Sequence, residues 1–337
     1  MNVGTVCKHY RNLNIKLVQK TPNRPIYLGI HCQGFGTLDL IEHAGLPQNL
    51  IEVKPDAFKG KDKLFYYRSN CFHIHKNNFA RLIRRANKLS LAIQFHFPEE
   101  LEGKTLNSGL EETHTDIVSL FDCLGSLISD YGFLPNVTMH LPTLFWGSRQ
   151  MLPATKAEIH SALCNANTLF QRLSAERQAK GWPIILGVEN QTDPTINTHA
   201  LGYSIEHFKI ALANTPEWIN ITIDSGHRIL SRNMRLSESF LPYIFESGKK
   251  VINLHFHENQ GIQSDDYHGD EHKLPFGDYI HGYLMYLNRA VQERIPIILE
   301  VKFKRHLPVQ ILLVSMGIKG LLDSIELGRK AHLSQST

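Results

Sequence analysis

Short apolar runs recur along the chain at fairly even spacing. Each has four to seven residues, most are rich in Ile, Val and Leu, and none alternates cleanly between apolar and polar positions. This pattern is typical of strands that are buried on both faces, as in a parallel sheet covered by helices. The runs predict eight strands: Ile26–His31, Leu50–Val53, Leu91–His96, Asn136–His140, Ile184–Glu189, Ile219–Asp224, Val251–His257 and Pro296–Val301.

The segments between these runs have helical spacing of apolar residues. Lys156–Lys180 is the clearest, with Ile159, Leu163 and Phe170 among the apolar residues of one stripe and charged residues opposite. Eight strands alternating with eight helices predict an α/β protein with a single-domain (β/α)8 TIM barrel. The predicted helices are Thr37–Ala44, Asn77–Leu89, Glu111–Tyr131, Lys156–Lys180, Ser204–Ala213, Ser237–Ser247, Tyr279–Gln292 and Val309–Leu327. We assign residues 26–330 to the barrel, 1–25 to an N-terminal leader and 331–337 to a C-terminal tail.

Composition narrows the class of protein without naming a function. The chain has 337 residues, of which 42% are hydrophobic and 20% are charged, as in ordinary globular proteins. Five scattered cysteines without a CxxC pair indicate reduced thiols. The charged first twenty residues lack the apolar core of a signal peptide, and no apolar run approaches membrane-spanning length. We therefore expect a cytoplasmic protein with no membrane partner.

The predicted strands end in residues that bind metals. The carboxyl ends of barrel strands meet at one rim, where TIM-barrel active sites lie. A single histidine or carboxylate there has a structural alternative, such as a helix cap. Several carboxylates buried at one rim are costly unless a cation neutralises them. Imidazole and carboxylate groups are the ligands of zinc, manganese and iron. The candidate metal ligands are His96, His140, Glu189, Asp224, His227, His255, Asp270, His272 and Glu300.

The sequence around these residues resembles a known superfamily. The runs GVEN, IDSGH, LHFHEN, DEHKLPFG and ILEV resemble the xylose-isomerase-like TIM barrels, which include sugar isomerases, sugar epimerases and AP endonucleases of the endonuclease IV type. The resemblance spans residues 26–327 and implies a TIM barrel with a metal site at its rim. It leaves the reaction open.

Resemblance to the sugar isomerases and epimerases implies one divalent metal ion, such as manganese. Glu189, Asp224, His255 and Glu300 match the ligand set of that branch. The metal would hold neighbouring oxygens of a small sugar or sugar phosphate. Glu189 and Glu300 would be the catalytic carboxylates that move a proton between adjacent carbons.

Resemblance to the endonuclease IV branch implies two or three zinc ions and hydrolysis of a phosphodiester. His96, His140 and Glu189 would hold the first ion. Glu189 would also bind the second ion, together with Asp224, His255 and Glu300. We take this metal-dependent hydrolase as the leading hypothesis, because a single-metal isomerase has no need of the extra ligands. A metal-binding barrel without catalysis is a third possibility. In the endonuclease-type site, the third zinc ion would be held by His227, Asp270 and His272.

Some local differences from the endonucleases favour the isomerase alternative. The chain has DSGH where those enzymes have DTCH, and HENQG where they have HLNDS. Glu99 stands where they have an aromatic residue after Pro98, and their Gly-x-Gly is lost because Asp278 and Tyr279 follow Gly277.

Substrate contacts are predicted from basic and aromatic residues near the rim. The segment Lys54–Arg68 mixes lysines with aromatic residues, so it suits DNA binding, or alternatively its rings pack on the barrel. For the other histidines, His31 among them, we expect structural or surface roles. The weaker candidates for substrate binding are Trp146, Arg149, His257 and Lys302. His257 has the alternative role of holding a carboxylate ligand in place.

Overall fold

Eight parallel strands form a closed barrel, which confirms the predicted fold class. The computed structural model describes residues 25–146, 154–194, 198–229, 247–259, 270–275, 280–302 and 306–335. Consecutive strands are neighbours all round the barrel, and the last pairs with the first. All eight predicted strands are present, with ends within two residues of the predicted positions. The strands are β1 (Leu28–Cys32), β2 (Leu50–Val53), β3 (Ala92–His96), β4 (Asn136–His140), β5 (Ile185–Glu189), β6 (Ile219–Asp224), β7 (Val251–Phe256) and β8 (Ile297–Leu299).

Helices follow the strands and cover the outside of the barrel. The prediction Lys156–Lys180 is confirmed at both ends: a capping box formed by Thr155 and Glu158 begins the helix, and Gly181 in the left-handed conformation ends it. The helix predicted at Ser237–Ser247 lies outside the described residues except for Ser247. The described helices are α1 (Phe35–Ala44), α2 (Lys76–Lys88), α3 (His114–Tyr131), α4 (Lys156–Lys180), α5 (Ile205–Ala211), α6 (Ser225–Ile229), α7 (Ile280–Glu293) and α8 (Pro308–Gln335).

Two of these helices differ from the prediction. The short helix α6 follows β6 directly, and its polar sequence SGHRI has no apolar periodicity that would have predicted it. Helix α8 runs on to Gln335 and so includes part of the predicted C-terminal tail. None of the helices in the described part of the chain combines the length and the apolarity that crossing a bilayer requires.

The strand register brings the polar strand ends to the same level. Glu189 at the end of β5 lies opposite His140 of β4, and Asp224 at the end of β6 lies opposite His255 of β7. These side chains are on adjacent strands of a closed barrel, so they converge on its axis. The register therefore builds one cluster from residues that are far apart in the sequence.

A layer of buried polar side chains fills the barrel beneath this cluster. Glu52 accepts hydrogen bonds from Gln94 and Thr138, and Asn253 donates to the Thr138 hydroxyl at 2.9 Å. Thr138 and Thr222 share a further hydrogen bond of 3.2 Å. Each of these side chains is fully buried. The hydrogen bonds offset the cost of placing polar groups where a TIM barrel usually has aliphatic residues.

The segment after β2 is more ordered than a simple loop. It contains two 3₁₀ turns, and its end, Phe65–Arg68, pairs with Cys71–Ile74 in an antiparallel hairpin. Phe65 packs edge-to-face on Phe79, and the Tyr67 hydroxyl donates to Asp116 at 2.6 Å. These contacts favour the alternative in which the aromatic rings of Lys54–Arg68 pack on the barrel.

Candidate metal centre

Four candidate ligands meet at the carboxyl end of the barrel. Glu189 ends β5, Asp224 ends β6, His255 lies in β7, and Glu300 follows β8 directly. One ligand atom from each lies within 4.8 Å of the others. The Nδ1 atom of His255 is 2.9 Å from Glu189 Oε1, 3.0 Å from Glu300 Oε2 and 4.0 Å from Asp224 Oδ2. The sequence-predicted single-metal set is therefore assembled, with Nδ1 of His255 facing its carboxylates.

The donor atoms of this set suit a divalent cation. Two glutamates, an aspartate and an imidazole are ligands that manganese, zinc and related metals accept. Glu300 Oε2 is buried and accepts no hydrogen bond of good geometry from the described residues. Its close contact is with Nδ1 of His255 at 3.0 Å, and a bound cation could take the place of the proton between the two atoms. The residues thus fit a metal ion on the chemistry of the site alone.

Neighbouring imidazoles keep the Glu189 and Glu300 carboxylates ionised by lowering their pKa values. Burial by itself raises the pKa of Glu189, but the charge of His255 and the contacts with His140 outweigh it and hold that pKa well below its usual range. The pKa of Glu300 is lowered in the same way by His31 and His255 against the effect of burial. Burial lowers the pKa of His255, yet the facing glutamates raise it well above 6.5. The cluster therefore pairs anionic carboxylates with cationic imidazoles.

A second group shares Glu189 with the first. His96 Nε2 is 3.2 Å and His140 Nε2 is 3.1 Å from Glu189 Oε2. On its other side, His140 Nδ1 is 3.2 Å from Glu99. Burial lowers the pKa of His140, but Glu99 and Glu189 together raise it to about 9. Glu99 thus contacts the His140 ring at Nδ1, on the side opposite to the nitrogen that faces Glu189.

A third group lies at the outer edge of the site. It consists of His227, His257, Asp270 and His272, whose ligand atoms also lie within 4.8 Å of one another. Asp270 Oδ2 is 2.7 Å from His272 Nε2 and 3.6 Å from His227 Nε2. The structure therefore brings together all nine candidate ligands that the sequence predicted, in three adjoining groups.

His257 belongs to the third group and was not among the predicted ligands. Strand β7 ends at Phe256, and the fully buried His257 ring extends toward β6, where Nε2 is 3.0 Å from Asp224 Oδ2. The ring also stacks on His272, with centroids 4.2 Å apart. His257 therefore links Asp224 to the rest of the third group, which favours the alternative that it holds a carboxylate in place. Its role in substrate binding stays a prediction.

Two further residues near the centre were missed as site residues. Glu52 of β2 is 2.9 Å from His255 Nε2 and 2.5 Å from His31 Nε2. His31, in turn, has its Nδ1 3.2 Å from Glu300 Oε1. His31 is buried, so it has no surface role. Two signals were available: Glu52 is a charge inside the apolar run LIEV, and His31 ends its predicted strand just as His96 and His140 end theirs.

The other substrate-binding candidates have different outcomes. Lys302 donates from Nζ to the backbone carbonyl of Asp270 at 2.6 Å, so it holds the backbone of a member of the third group. Trp146 ends a short strand whose partner is Thr198–Ala200. Arg149 lies outside the described residues.

Comparison with protein-family models gave no match, and comparison with curated proteins gave none either. Solved structures do share the fold. A D-tagatose 3-epimerase-like protein superposes with a TM-score of 0.60 at 14% identity, covering 90% of this chain and 99% of its own. The 3-keto-D-glucoside 4-epimerase of E. coli has a TM-score of 0.56 at 13% identity, covering 88% and 100%. An L-ribulose 3-epimerase has a TM-score of 0.51 at 12% identity, covering 92% and 98%. The chain therefore shares the TIM-barrel fold of these epimerases, as its strand pattern predicted.

Proposed function

We propose that this protein is a divalent-metal-dependent isomerase or epimerase of a small sugar or sugar phosphate. The observation that carries the proposal is the convergence of Glu189, Asp224, His255 and Glu300 at the carboxyl end of the barrel. This reverses the order of the two hypotheses drawn from the sequence. The leading hypothesis there was phosphodiester hydrolysis, and the structure supplies a reason to rank it second.

That reason is the position of His257. In a site with three separate ions, Asp224 and the third group would each bind metal without contacting one another. Here His257 contacts Asp224 on one side and stacks on His272 on the other. The third group is thus joined, through His257, to Asp224 of the four-residue set. The third group is therefore placed to hold Asp224 in position, and a site with one metal ion can use that contact.

The side chains at the centre suit proton transfer between neighbouring carbons. A bound divalent ion would hold adjacent sugar oxygens and polarise a carbonyl. Glu189 and Glu300, both ionised in the metal-free site, contact the same imidazole nitrogen, His255 Nδ1, at 2.9 and 3.0 Å. In an isomerisation, one carboxylate would remove a proton from the carbon next to the carbonyl, and the carboxylic acid so formed would return that proton to the adjacent carbon. In an epimerisation, the first glutamate would keep the proton it removes, and the second glutamate, after taking up a proton from solvent, would deliver it to the opposite face. Atoms and charge balance, and no further reactant is needed.

The names of the structures with the same fold support this substrate class. They are described as epimerases of tagatose, ribulose and 3-keto-glucoside type. Their low sequence identity limits the likeness to the fold, so the choice of sugar is open to a direct screen.

Hydrogen exchange tests the reaction with a panel of sugars, so the substrate itself need not be identified first. Protein loaded with Mn²⁺ or Co²⁺ is incubated in D₂O with ketoses and ketose phosphates, and deuterium at carbons next to the carbonyl is measured by NMR. We expect exchange with at least one sugar, lost in Glu189→Gln and Glu300→Gln. The matched control is Glu102→Gln, which removes a carboxylate that is paired with Lys63 and belongs to none of the three groups. Metal-loaded protein that exchanges no sugar in the panel would contradict the proposal.

One specific observation supports a metal-dependent hydrolase as the second candidate. His96, His227 and His272 each donate from Nδ1 to a backbone carbonyl, at 3.0, 2.9 and 2.9 Å. This arrangement leaves Nε2 directed at a carboxylate and is common for histidines that bind metal. Several ions could then activate water for attack on a phosphodiester.

Metal stoichiometry and cleavage of DNA that contains an abasic site separate the two candidates. One ion per chain and no incision favour the isomerase. Two or three tightly bound ions, with incision that is lost in Asp224→Asn, favour the hydrolase. A metal-loaded protein with neither activity would favour the barrel without catalysis.

A further inference from the structure

We propose that Glu52 is a positioning residue for the metal centre: it holds the ligand His255 directly and the ligand Glu300 through His31. The inference rests on the metal site of the proposed function, but it holds for either reaction, because both use His255 and Glu300. Glu52 lies on β2, on the far side of His255 from the carboxylates that the metal would join.

The first contact is with the back of the His255 ring. Glu52 Oε2 is 2.9 Å from Nε2, while Nδ1 of the same ring faces Glu189 and Glu300. The contact with Nε2 is an ion pair rather than an in-line hydrogen bond. Histidines that bind metal through one nitrogen usually have a carboxylate, carbonyl or water at the other. Glu52 is in the place where such a carboxylate belongs.

The second contact reaches Glu300 by way of His31. His31 Nε2 lies 2.5 Å from the same oxygen of Glu52, and His31 Nδ1 lies 3.2 Å from Glu300 Oε1. The His31 ring is 5.1 Å from the His255 ring and nearly perpendicular to it. One carboxylate oxygen therefore fixes the orientation of two imidazoles, which touch two different candidate ligands.

Glu52 is itself poorly placed to bind the metal. Its Oε2 is taken by the two imidazoles, and its Oε1 accepts from Gln94 at 2.9 Å and Thr138 at 3.3 Å. Glu300 Oε2, in contrast, contacts Nδ1 of His255 at 3.0 Å, on the side of the ring that faces the other candidate ligands, and accepts no in-line hydrogen bond from the described residues. The two glutamates thus differ in kind: Glu300 offers a ligand atom, and Glu52 supports those that do.

The alternative is that Glu52 merely stabilises the polar layer inside the barrel. Metal affinity separates the two roles, because damage to that layer weakens folding without turning the His255 ring. The variants are Glu52→Gln, which keeps the shape and removes the charge, and Glu52→Asp, which keeps the charge on a shorter side chain. The matched control is Thr222→Val, which removes a polar group from the same buried layer without touching Glu52.

Mn²⁺ affinity is measured on metal-free protein by competition with a fluorescent chelator, and Co²⁺ absorption spectra are recorded on the same samples. Circular dichroism checks that each variant is folded. Loss of an outer carboxylate partner typically weakens metal binding about 10- to 100-fold, and we expect this for Glu52→Gln. We also expect an altered Co²⁺ spectrum, since the orientation of His255 changes. Thr222→Val should retain the affinity and spectrum of the unchanged protein.

Three outcomes would overturn the inference. One is a folded Glu52→Gln variant with unchanged Mn²⁺ affinity and Co²⁺ spectrum. Another is an equal loss of affinity in Thr222→Val. If Glu52→Gln fails to fold, Glu52→Asp decides, and affinity equal to that of the unchanged protein overturns the inference. Failure of the proposed metal site is recognised separately, because the unchanged protein would then bind no Mn²⁺.

Discussion

The Nε2 atom of His257 lies 3.0 Å from Oδ2 of Asp224, and this contact ties the loop after β7 to the end of β6. The approach is possible because Gly226, two residues after Asp224, has no side chain. A Cβ at that position would lie 2.2 Å from Cε1 of the His257 ring. The glycine in IDSGH therefore makes room for the imidazole that supports Asp224.

Gly226→Ala should displace His257 and loosen its hold on Asp224. We expect a loss of about 1–3 kcal/mol in the free energy of unfolding, because the extra methyl enters a packed site. We also expect weaker Mn²⁺ binding. Urea unfolding and chelator competition measure the two effects.

Gly320→Ala is the control for this substitution. Gly320 lies in α8, and a Cβ there has open space around it, so alanine should raise stability by about 0.5–1 kcal/mol through helix propensity. Equal stability and equal metal binding in Gly226→Ala and the unchanged protein would show that His257 is not held as described.

Metal binding should release protons at neutral pH. The facing glutamates raise the pKa of His255 well above 6.5 against the effect of burial, so the metal-free ring is protonated and must lose its Nδ1 proton to coordinate. Protons thus compete with the metal, and affinity should rise about tenfold per pH unit below that pKa. Calorimetry in two buffers of different ionisation enthalpy counts the protons released. Affinity that is independent of pH, without proton release, would exclude His255 as a ligand.

Stability in acid should depend on His207, which lies outside the metal centre. Its buried ring accepts a hydrogen bond at Nδ1 from the N–H of Gly202. Burial, assisted by the charge of His199, lowers the His207 pKa from 6.5 to about 4. The unfolded chain therefore binds this proton first, so the stabilisation is full above pH 6.5 and is lost as the pH falls toward 4.

His207→Asn tests this dependence, since asparagine can accept the Gly202 hydrogen bond and does not titrate. Between pH 6.5 and 4, the variant should lose about 2 kcal/mol less stability than the unchanged protein. Urea unfolding across this range, with a chelator in every sample, gives the two curves. Parallel curves would mean that His207 does not supply the difference.

The sequence alone predicts the barrel and much of the rim, for a physical reason. Parallel strands in a closed barrel all end at the same side, so a polar residue that ends a buried run can be placed at the rim whatever its partners are. Glu189 and Asp224 follow directly from that rule. The β8 run predicts Glu300 too, although the residue lies just past the strand.

Contacts across the barrel could not be predicted in this way. Glu52 lies on β2 and His255 on β7, and only the closed register brings them to 2.9 Å. The role of His257 depends on where β7 ends and on the space above Gly226. Such features belong to the assembled structure, and composition or periodicity carries little information about them.

The central claim is that Asp224, with Glu189, His255 and Glu300, holds one divalent ion. It is tested most directly by equilibrium dialysis of metal-free protein against Mn²⁺, followed by elemental analysis, for the unchanged protein and for Asp224→Asn. The control is Asp323→Asn, an exposed aspartate of α8 paired with Lys319. We predict one ion per chain in the unchanged protein and the control, and strongly reduced occupancy in Asp224→Asn. No bound Mn²⁺ in the unchanged protein, or equal occupancy in Asp224→Asn, would contradict the account.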